Sequence, residues 1–313
     1  MTINATPASL AAATGTLLVK SDDATTPVVA VPLTVRGAAS PTAVARIKSI
    51  NNTSVVVAAG DAAAVEPLDD VVVSGDSSVA GDSAIVGYRW TLLERPAESS
   101  VVLSSPDAVD TGLTFDSGAG VVSGVDVAGT FRLRLVVTDA SGATSENDAV
   151  VVFTAVPTAG LHVQLSWSTD SNDLDLHLGR GFGVDWCSAD DCYYANCEGS
   201  SLNWYGAAGQ TAGDPNLDID DTRGFGPENI NIEDGADSYI IGVHAYSGEG
   251  GGPGFSPTDV TVKVFLGGAL VDTFDGRLDA RDQFWKVARV DLRGAVPTVT
   301  AVDNRQDHLA SCE

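Results

Sequence analysis

The chain has 313 residues, enough for two or three domains, and 44% of them are hydrophobic, enough to build packed cores. Its formal net charge of -25 argues against binding nucleic acid, because so acidic a surface would repel phosphate groups. No run approaches the ~18 consecutive apolar residues of a membrane span. The charge would suit cation binding, or simply solubility in salt.

The composition predicts an all-β protein. Ala, Val, Gly and Asp are the commonest residues and there is a single methionine, and this balance favours short strands and turns over helices. No window of the sequence shows a long helical period.

Residues 1–36 contain two strand-like runs, TGTLLVKS and VVAVPLTVRG, joined by the turn DDATTP. Two strands are marginally stable alone. The runs resemble the last hairpin of an immunoglobulin-like domain of the abnormal-spindle/Hydin type. The resemblance implies that the rest of that domain lies upstream. Residues 37–53, rich in small residues, are predicted to be a linker.

Residues 54–156 form a second predicted unit, in which turns recur at the spacing expected of a β-sandwich. The segments GYRWTL (87–92) and VAGTFRLRLVVTDASGATS (127–145) resemble the polycystic kidney disease (PKD) repeat, although Phe131 stands where that family usually has tyrosine. The resemblance implies an immunoglobulin-like sandwich with Trp90 in its core.

The stretch LSWSTDSNDLDLHL, residues 165–178, contains the first of two acidic clusters. It begins as a strand, passes through a polar turn that carries Asp170 and Asn172, and then resumes as a strand. Because side chains alternate along a strand, Asp173 and Asp175 are predicted on one face, with the intervening leucines on the other.

A second acidic cluster, DPNLDIDDTRGFGPE, occupies residues 214–228, where two glycines bend the chain before the final glutamate. We interpret the two clusters as opposite walls of one cation site, because adjacent carboxylates repel each other unless a cation lies between them. Calcium fits best, since it takes about six to eight oxygen ligands. Alternatively, some of these acids cap turns or pair with Arg180 and Arg223. The predicted calcium ligands are Asp170, Asn172, Asp173, Asp175, Asp218, Asp220, Asp221 and Glu228.

Catalysis is the less favoured use of these carboxylates. A glycosidase needs one carboxyl group of raised pKa in an apolar pocket, ~5–9.5 Å from its partner, whereas a crowd of acids indicates metal ligation. No histidine belongs to an HExxH motif, and we expect His177 to be a hydrogen-bonding neighbour of Asp175 rather than a zinc ligand. No nucleophile with a neighbouring base is recognisable, so we predict no catalytic residue and no enzyme.

A long segment, residues 179–217, carries three of the four cysteines and five tryptophan and tyrosine residues. Without a CxxC pair a zinc ribbon is not indicated, and disulfides imply an oxidising compartment outside the cytoplasm. No signal peptide is visible at the N-terminus. The aromatic residues are either a carbohydrate-binding platform or, as we favour, a satellite core beneath a long loop. They are Trp186, Tyr193, Tyr194, Trp204 and Tyr205.

The third unit, residues 161–313, resembles over 161–293 an uncharacterised family of bacterial β-sandwich domains, the YfaP-like domains. The shared segments are W…DLDLHL, DIDDTRGFGPENI and YIIGVHAYS, together with DCYYxNC, NW and FWxVAxxDL. From the family's DCYYxNC segment we expect one disulfide between Cys192 and Cys197, and a second between Cys187 and Cys312. Residues 294–313 are expected to be a polar tail.

These observations predict a tandem of immunoglobulin-like β-sandwiches ending in a calcium-binding β-sandwich. We expect a bacterial structural or adhesive protein, secreted or on the cell surface, whose partner is another protein, a surface glycan or copies of itself. The alternative is a carbohydrate-binding accessory module, and a hydrolase is less favoured. Function has to be argued from the site, because these folds host many functions.

Overall fold

The computed structural model describes residues 13–20, 22, 25, 27–35, 38–55, 63–199, 202–206, 213–247 and 254–307. The predicted all-β class is confirmed: within these residues the only helix is the four-residue α1 (Tyr194–Cys197), and the strands form several antiparallel sheets. None of the described residues belongs to a helix long and apolar enough to cross a membrane.

The first two strands, β1 (Ala13–Lys20) and β2 (Val28–Val35), form an antiparallel hairpin in which Ala13 lies opposite Val35. No described side chain of this hairpin is buried, and Leu18 is 60% exposed. The two runs predicted as strands therefore pair with each other, without contributing to a core among the described residues.

The middle sandwich packs a three-stranded sheet, β11–β10–β6, against a sheet in the order β4–β3–β5–β8–β7, with β9 paired to β8. Phe131, Leu133 and Leu135 of β10 alternate into the core, where Trp90 is 1% exposed. The strands are β3 (Arg46–Ile50), β4 (Thr53–Ser54), β5 (Val71–Ser74), β6 (Ile85–Glu94), β7 (Val102–Leu103), β8 (Asp110–Asp116), β9 (Val121–Ser123), β10 (Gly129–Asp139) and β11 (Ala149–Ala155).

The predicted linker 37–53 is wrong over part of its length, because β3 lies within it. Strand β3 pairs with both β4 and β5, and Ile47 and Ala43 are buried in the core of the middle sandwich. The sequence did not show the apolar alternation of a strand here, because Ile47 is the only buried residue of β3 and its neighbours are small or charged.

The C-terminal sandwich consists of two five-stranded sheets. The front sheet has the order β15–β16–β12–β18–β19, and the back sheet the order β14–β13–β17–β20–β21. Their strands are β12 (Leu161–Trp167), β13 (Asp173–Arg180), β14 (Asp191–Cys192), β15 (Asn216–Ile219), β16 (Glu228–Ile232), β17 (Ser238–Ser247), β18 (Thr258–Leu266), β19 (Ala269–Leu278), β20 (Phe284–Asp291) and β21 (Thr298–Gln306).

Both faces of β12, β13 and β17 are buried. The leucines of β13 lie in the core between the sheets, as the alternation predicted, and Asp173, Asp175 and His177 lie on the opposite, outer face of the back sheet. That outer face is covered by the loop 181–199, whose Trp186 ring meets the His177 ring edge-on at 5.9 Å. These polar side chains are buried because the loop lies over them.

The middle sandwich contacts the outer face of the front sheet at β12 and β18. Gln164 Oε1 accepts a 2.8 Å hydrogen bond from the backbone N–H of Ala128, and Lys263 Nζ lies 2.9 Å from Glu98 Oε2. The two sandwiches are therefore in direct contact through polar groups of both units.

The tail predicted at 294–313 is partly a strand instead. Residues Thr298–Gln306 form β21, which pairs antiparallel with β20 at the edge of the back sheet. Most of its side chains are exposed, which explains why its composition suggested a polar tail rather than a strand.

Candidate functional site

The two acidic segments meet at the edge of the C-terminal sandwich. Asp175 on β13, Asp220 just after β15 and Glu228 at the start of β16 each offer a carboxylate oxygen, and these oxygens all lie within 4.8 Å of one another. The three residues are 45 and 8 positions apart in the sequence, and they come from both sheets. Only the pairing of β13 and β16 with their neighbours places them together.

Glu228 is the residue that joins the two segments. It lies on the same face of β16 as Ile230 and Ile232, so its side chain points between the sheets and is fully buried. Its Oε2 accepts a 2.6 Å hydrogen bond from the N–H of Leu176, and its Oε1 accepts one of 3.3 Å from the N–H of Asp221.

The bend predicted before Glu228 depends on glycine. Gly224 has φ +144 and Gly226 has φ +83, conformations that residues with a side chain rarely adopt. A Cβ atom at Gly224 would lie 3.0 Å from Asp221 Oδ2 and 3.1 Å from the carbonyl oxygen of Asp116. The close approach of the chain to Asp221 therefore requires a residue without a side chain.

Burial and mutual repulsion raise the pKa of the clustered acids. Burial first, and then Asp175 and Asp220, raise the pKa of Asp173 to about 8. Burial is also the main reason that the pKa values of Asp175 and Asp221 rise to about 7, and that of Glu228 lies well above its usual range. None of these four acids forms an ion pair with a lysine or arginine among the described residues.

Burial also raises the pKa of Asp220, although the neighbouring Glu228 opposes the rise. We call the five acids Asp173, Asp175, Asp220, Asp221 and Glu228 the carboxylate cluster. Among the described residues no lysine or arginine pairs with them, and only the charge of His177 opposes the rise in the pKa of Asp175.

Three of the eight predicted ligands do not belong to the carboxylate cluster. Asp170 is exposed and lines a groove between the two sandwiches together with Arg223. Both ends of the Asn172 amide are used by the backbone of Ser256, at 2.6 and 3.1 Å. Asp170 is not among the carboxylates that converge, and the Asn172 amide is bonded to Ser256, so ligation by these two residues stays a prediction.

Asp218 lies outside the carboxylate cluster. Its carboxylate accepts hydrogen bonds from the amide groups of Asn216 and Asn231, on the side of the front sheet that faces the middle sandwich. The register shift between Leu217 and Ile219, where β15 pairs with β16, marks an irregularity next to Asp218.

Two buried histidines lie beside the carboxylate cluster. His177 is a hydrogen-bonding residue, but its partner is Asp191 rather than the expected Asp175: its Nδ1 lies 2.8 Å from Asp191 Oδ2, whereas His244 Nδ1 lies 3.5 Å from Asp175 Oδ2. Although burial alone would lower it, the neighbouring Asp191 carboxylate raises the pKa of His177. Sequence reasoning missed Asp191 and His244, although they lie in the segments DCYYxNC and YIIGVHAYS noted above.

The aromatic residues of the long loop pack inward. Trp186 and Trp204 are each 7% exposed; Trp186 packs with Ile240 and Phe284, and Trp204 stacks on Tyr239 at 6.1 Å. Tyr193, Tyr194 and Tyr205 are half-buried. The carbohydrate platform is wrong for the two tryptophans, because a flat sugar face needs exposed rings.

The disulfide expected between Cys192 and Cys197 is confirmed, with the two Cα atoms 5.0 Å apart. Both cysteines are buried beneath the loop, and the bridge joins β14 to the last residue of α1. The second expected pair includes Cys312, which lies outside the described residues, so that pairing stays a prediction.

Comparisons of the chain with protein-family models, curated proteins and solved structures gave no match. What the site can do therefore follows from its donor atoms. The carboxylate cluster offers only oxygen ligands, the kind that hard cations such as calcium take, and the neighbouring histidines add nitrogen donors on one side.

Proposed function

We propose that the carboxylate cluster binds calcium and that the chain is a structural or adhesive protein, secreted or on the cell surface, that catalyses no reaction. The observation that supports this most directly is the approach of Asp175, Asp220 and Glu228 oxygens to within 4.8 Å of one another. Calcium binds about six to eight such oxygens at ~2.3–2.6 Å. Asp173 and Asp221 supply further carboxylates, and water would complete the shell.

Calcium at this position would stabilise the sandwich across its open edge. The acids come from β13 in the back sheet and from the β15–β16 region of the front sheet, and their repulsion opposes the approach of the two sheets. A divalent cation turns that repulsion into attraction, and because the unfolded chain lacks the assembled site, binding adds to the free energy of unfolding.

The contact between the two sandwiches supports a structural role. With Lys263 paired to Glu98 and Gln164 bonded to Ala128, the tandem presents its loops at defined relative positions. A preorganised surface binds a partner with less loss of conformational entropy. The partner would be another protein, a surface glycan or a second copy of the chain.

The disulfide between Cys192 and Cys197 is consistent with export, because such bridges persist mainly in oxidising compartments. Free calcium outside cells suits sites with Kd of ~10⁻⁴–10⁻³ M. From the resemblances given above, we also propose that the chain is bacterial and that it contains YfaP-like, PKD-like and abnormal-spindle/Hydin-like units. The buried tryptophans make a sugar-binding accessory module the weaker candidate.

The calcium proposal is tested by thermal unfolding of the whole chain in millimolar calcium and in chelator. Calcium should raise the melting temperature of the C-terminal sandwich, and the replacements Asp220→Asn and Asp173→Asn together should abolish the increase. The matched controls are Asp170→Asn and Asp218→Asn, which change acids of the same two segments outside the cluster. Both controls should retain the increase. Equal melting with calcium and with chelator in the parent chain would refute the site.

The adhesive role is tested separately with glycan arrays, bacterial surfaces, and peptide and ester substrates. Saturable binding to a surface without turnover is the expected result. Turnover that disappears in a folded Asp175→Asn variant would show that the chain is an enzyme instead.

A further inference from the structure

We propose that Asp175, His177 and His244 form a second metal site, for a divalent transition metal ion of the zinc type. One donor atom from each residue lies within 4.8 Å of the other two. The three side chains are nearly inaccessible, with 2%, 0% and 4% exposure respectively. They occupy neighbouring strands β13 and β17, where Asp175 lies directly opposite His244.

His177 is oriented as a metal ligand would be. Its Nδ1 lies 2.8 Å from Asp191 Oδ2, so the ring, in the neutral form that binds a metal, donates its N–H there and directs the bare Nε2 away from Asp191. That Nε2 is fully buried and has no hydrogen-bond partner among the described residues. A buried nitrogen lone pair without a partner is costly, and a metal ion would satisfy it. Metal-binding histidines commonly donate their other N–H to a carboxylate in this way.

Asp191 is itself held in place. Its Oδ2 also accepts a 2.8 Å hydrogen bond from the N–H of Cys187, and its carbonyl oxygen accepts one of 2.8 Å from Asn196 Nδ2. The covering loop thus holds the Asp191 carboxylate in place, and this carboxylate in turn orients His177. Asp191 is a positioning residue in this proposal, not a ligand.

The distances suit zinc. Zinc–nitrogen and zinc–oxygen bonds of about 2.0–2.2 Å in a tetrahedron separate two ligands by roughly 3.3 Å. Asp175 Oδ2 and His244 Nδ1 already lie 3.5 Å apart. Imidazole nitrogen together with one carboxylate favours zinc and similar ions over calcium, which prefers oxygen ligands. Three protein ligands leave one position for water.

The surroundings exclude bulk water from this site. The rings of Tyr193, Phe284 and Trp186 lie 5.2, 5.4 and 5.9 Å from the His177 ring. Such an enclosure strengthens the attraction between a cation and the carboxylate. None of the described cysteines is a free thiol, so sulfur ligation by Cys187 is not part of the proposal.

The zinc-type site is separable from the calcium site although Asp175 belongs to both groups. His177 and His244 are not members of the carboxylate cluster, and Asp220 and Glu228 are not members of the histidine group. Replacing a histidine should therefore leave the calcium-dependent increase in melting temperature intact, whereas replacing Asp220 should leave zinc binding intact.

The experiment titrates the metal-free whole chain with zinc in competition with a chromophoric chelator, and with cobalt while the visible spectrum is recorded. The parent should bind one zinc ion, and cobalt should give the strong absorption of a site with few, mixed nitrogen and oxygen ligands. His244→Gln and His177→Gln should each weaken zinc binding by more than tenfold, and Asp191→Asn by about 10–100-fold. The control is His162→Gln, a buried histidine on the front sheet that should bind zinc as the parent does.

Zinc affinity unchanged in His244→Gln, or a cobalt spectrum of the parent typical of six oxygen ligands, would overturn the proposal. So would a parent that binds no zinc; the histidines and acids would then form a hydrogen-bonded network only. The cobalt spectrum of the parent needs no variant, so a poorly folding His177→Gln does not prevent a decision. None of these outcomes would bear on the calcium proposal, which is decided by the calcium response of the Asp220 and Asp173 variants.

Discussion

Glu228 Oε2 accepts a 2.6 Å hydrogen bond from the backbone N–H of Leu176. A side chain of the front sheet therefore satisfies an N–H group on one edge of β13 in the back sheet. This bond lies at the edge of β13 that faces away from β17, where among the described residues only the short β14 pairs with it, at Leu178 and Gly179. It protects the strand edge, and it places a carboxylate beside Asp175. Structure and candidate chemistry thus depend on the same contact.

Separating the two roles of Glu228 is the first test. Glu228→Gln keeps an oxygen that can accept from Leu176 but removes the charge, so the fold should persist while the stabilisation by calcium is largely lost. Glu228→Ala should in addition leave a buried N–H without a partner, costing about 1–3 kcal/mol. Urea unfolding with and without calcium measures both effects. If the glutamine variant responds to calcium as the parent does, Glu228 is not a ligand.

Gly224→Ala should lower the free energy of unfolding by about 1 kcal/mol or more, because φ +144 is unfavourable for alanine and its Cβ would lie 3.0 Å from Asp221 Oδ2. It should weaken calcium binding too, since Asp221 would be displaced. The matched control is Gly183→Ala, where a Cβ meets no atom within 4 Å and φ is not in the disfavoured region. Equal stability of the two alanine variants would contradict the structure around Gly224.

The bridge between Cys192 and Cys197 closes a very short loop, so its expected contribution is small. Replacing both cysteines by alanine should lower the free energy of unfolding by about 2 kcal/mol in the chain-entropy model. Either single replacement should lower it by as much, because each one already breaks the bridge. Denaturant unfolding of the three variants measures this, and additive losses would show that the cysteines act independently.

His162 should make the fold sensitive to mild acid. Burial lowers its pKa to about 4, even though its contact with Asn231 opposes the shift. Between pH 6.5 and about 4 the unfolded chain binds a proton at this position that the folded chain excludes, so stability falls as the pH decreases through that window. The loss is at most about 3 kcal/mol.

The pH effect is measured by comparing the parent with His162→Gln at pH 7.5 and at pH 4.5. Glutamine does not titrate there, so the parent should lose more stability than the variant between the two pH values. The difference isolates His162 from the acids that titrate in the same range. Parallel losses in both proteins would mean that His162 is protonated in the folded state.

The alternation of residues 173–178 was sufficient to predict which side of β13 carries acids and which carries leucines. It depends on the local geometry of a strand, as do the all-β class, the hairpin of β1 and β2 and the turn glycines. The pairing of Cys192 with Cys197 was also correct, although it was inferred from a resemblance. The strands β3 and β21 escaped prediction because one is short of apolar residues and the other is an exposed edge.

The membership of the site was decided only by the tertiary structure. In the sequence, Asp170 and Asp218 look as suitable for binding a metal as Asp175 and Asp220. In the structure, Asp170 lies on a turn that lines the groove between the sandwiches, and Asp218 lies at a strand irregularity where it bonds to Asn216. Asp191 and His244 lie far from the acidic segments in the sequence, and they reach Asp175 and His177 only because β17 pairs with β13 and the loop folds over them. Local alternation determines the face on which a side chain lies, whereas long-range pairing determines which faces meet.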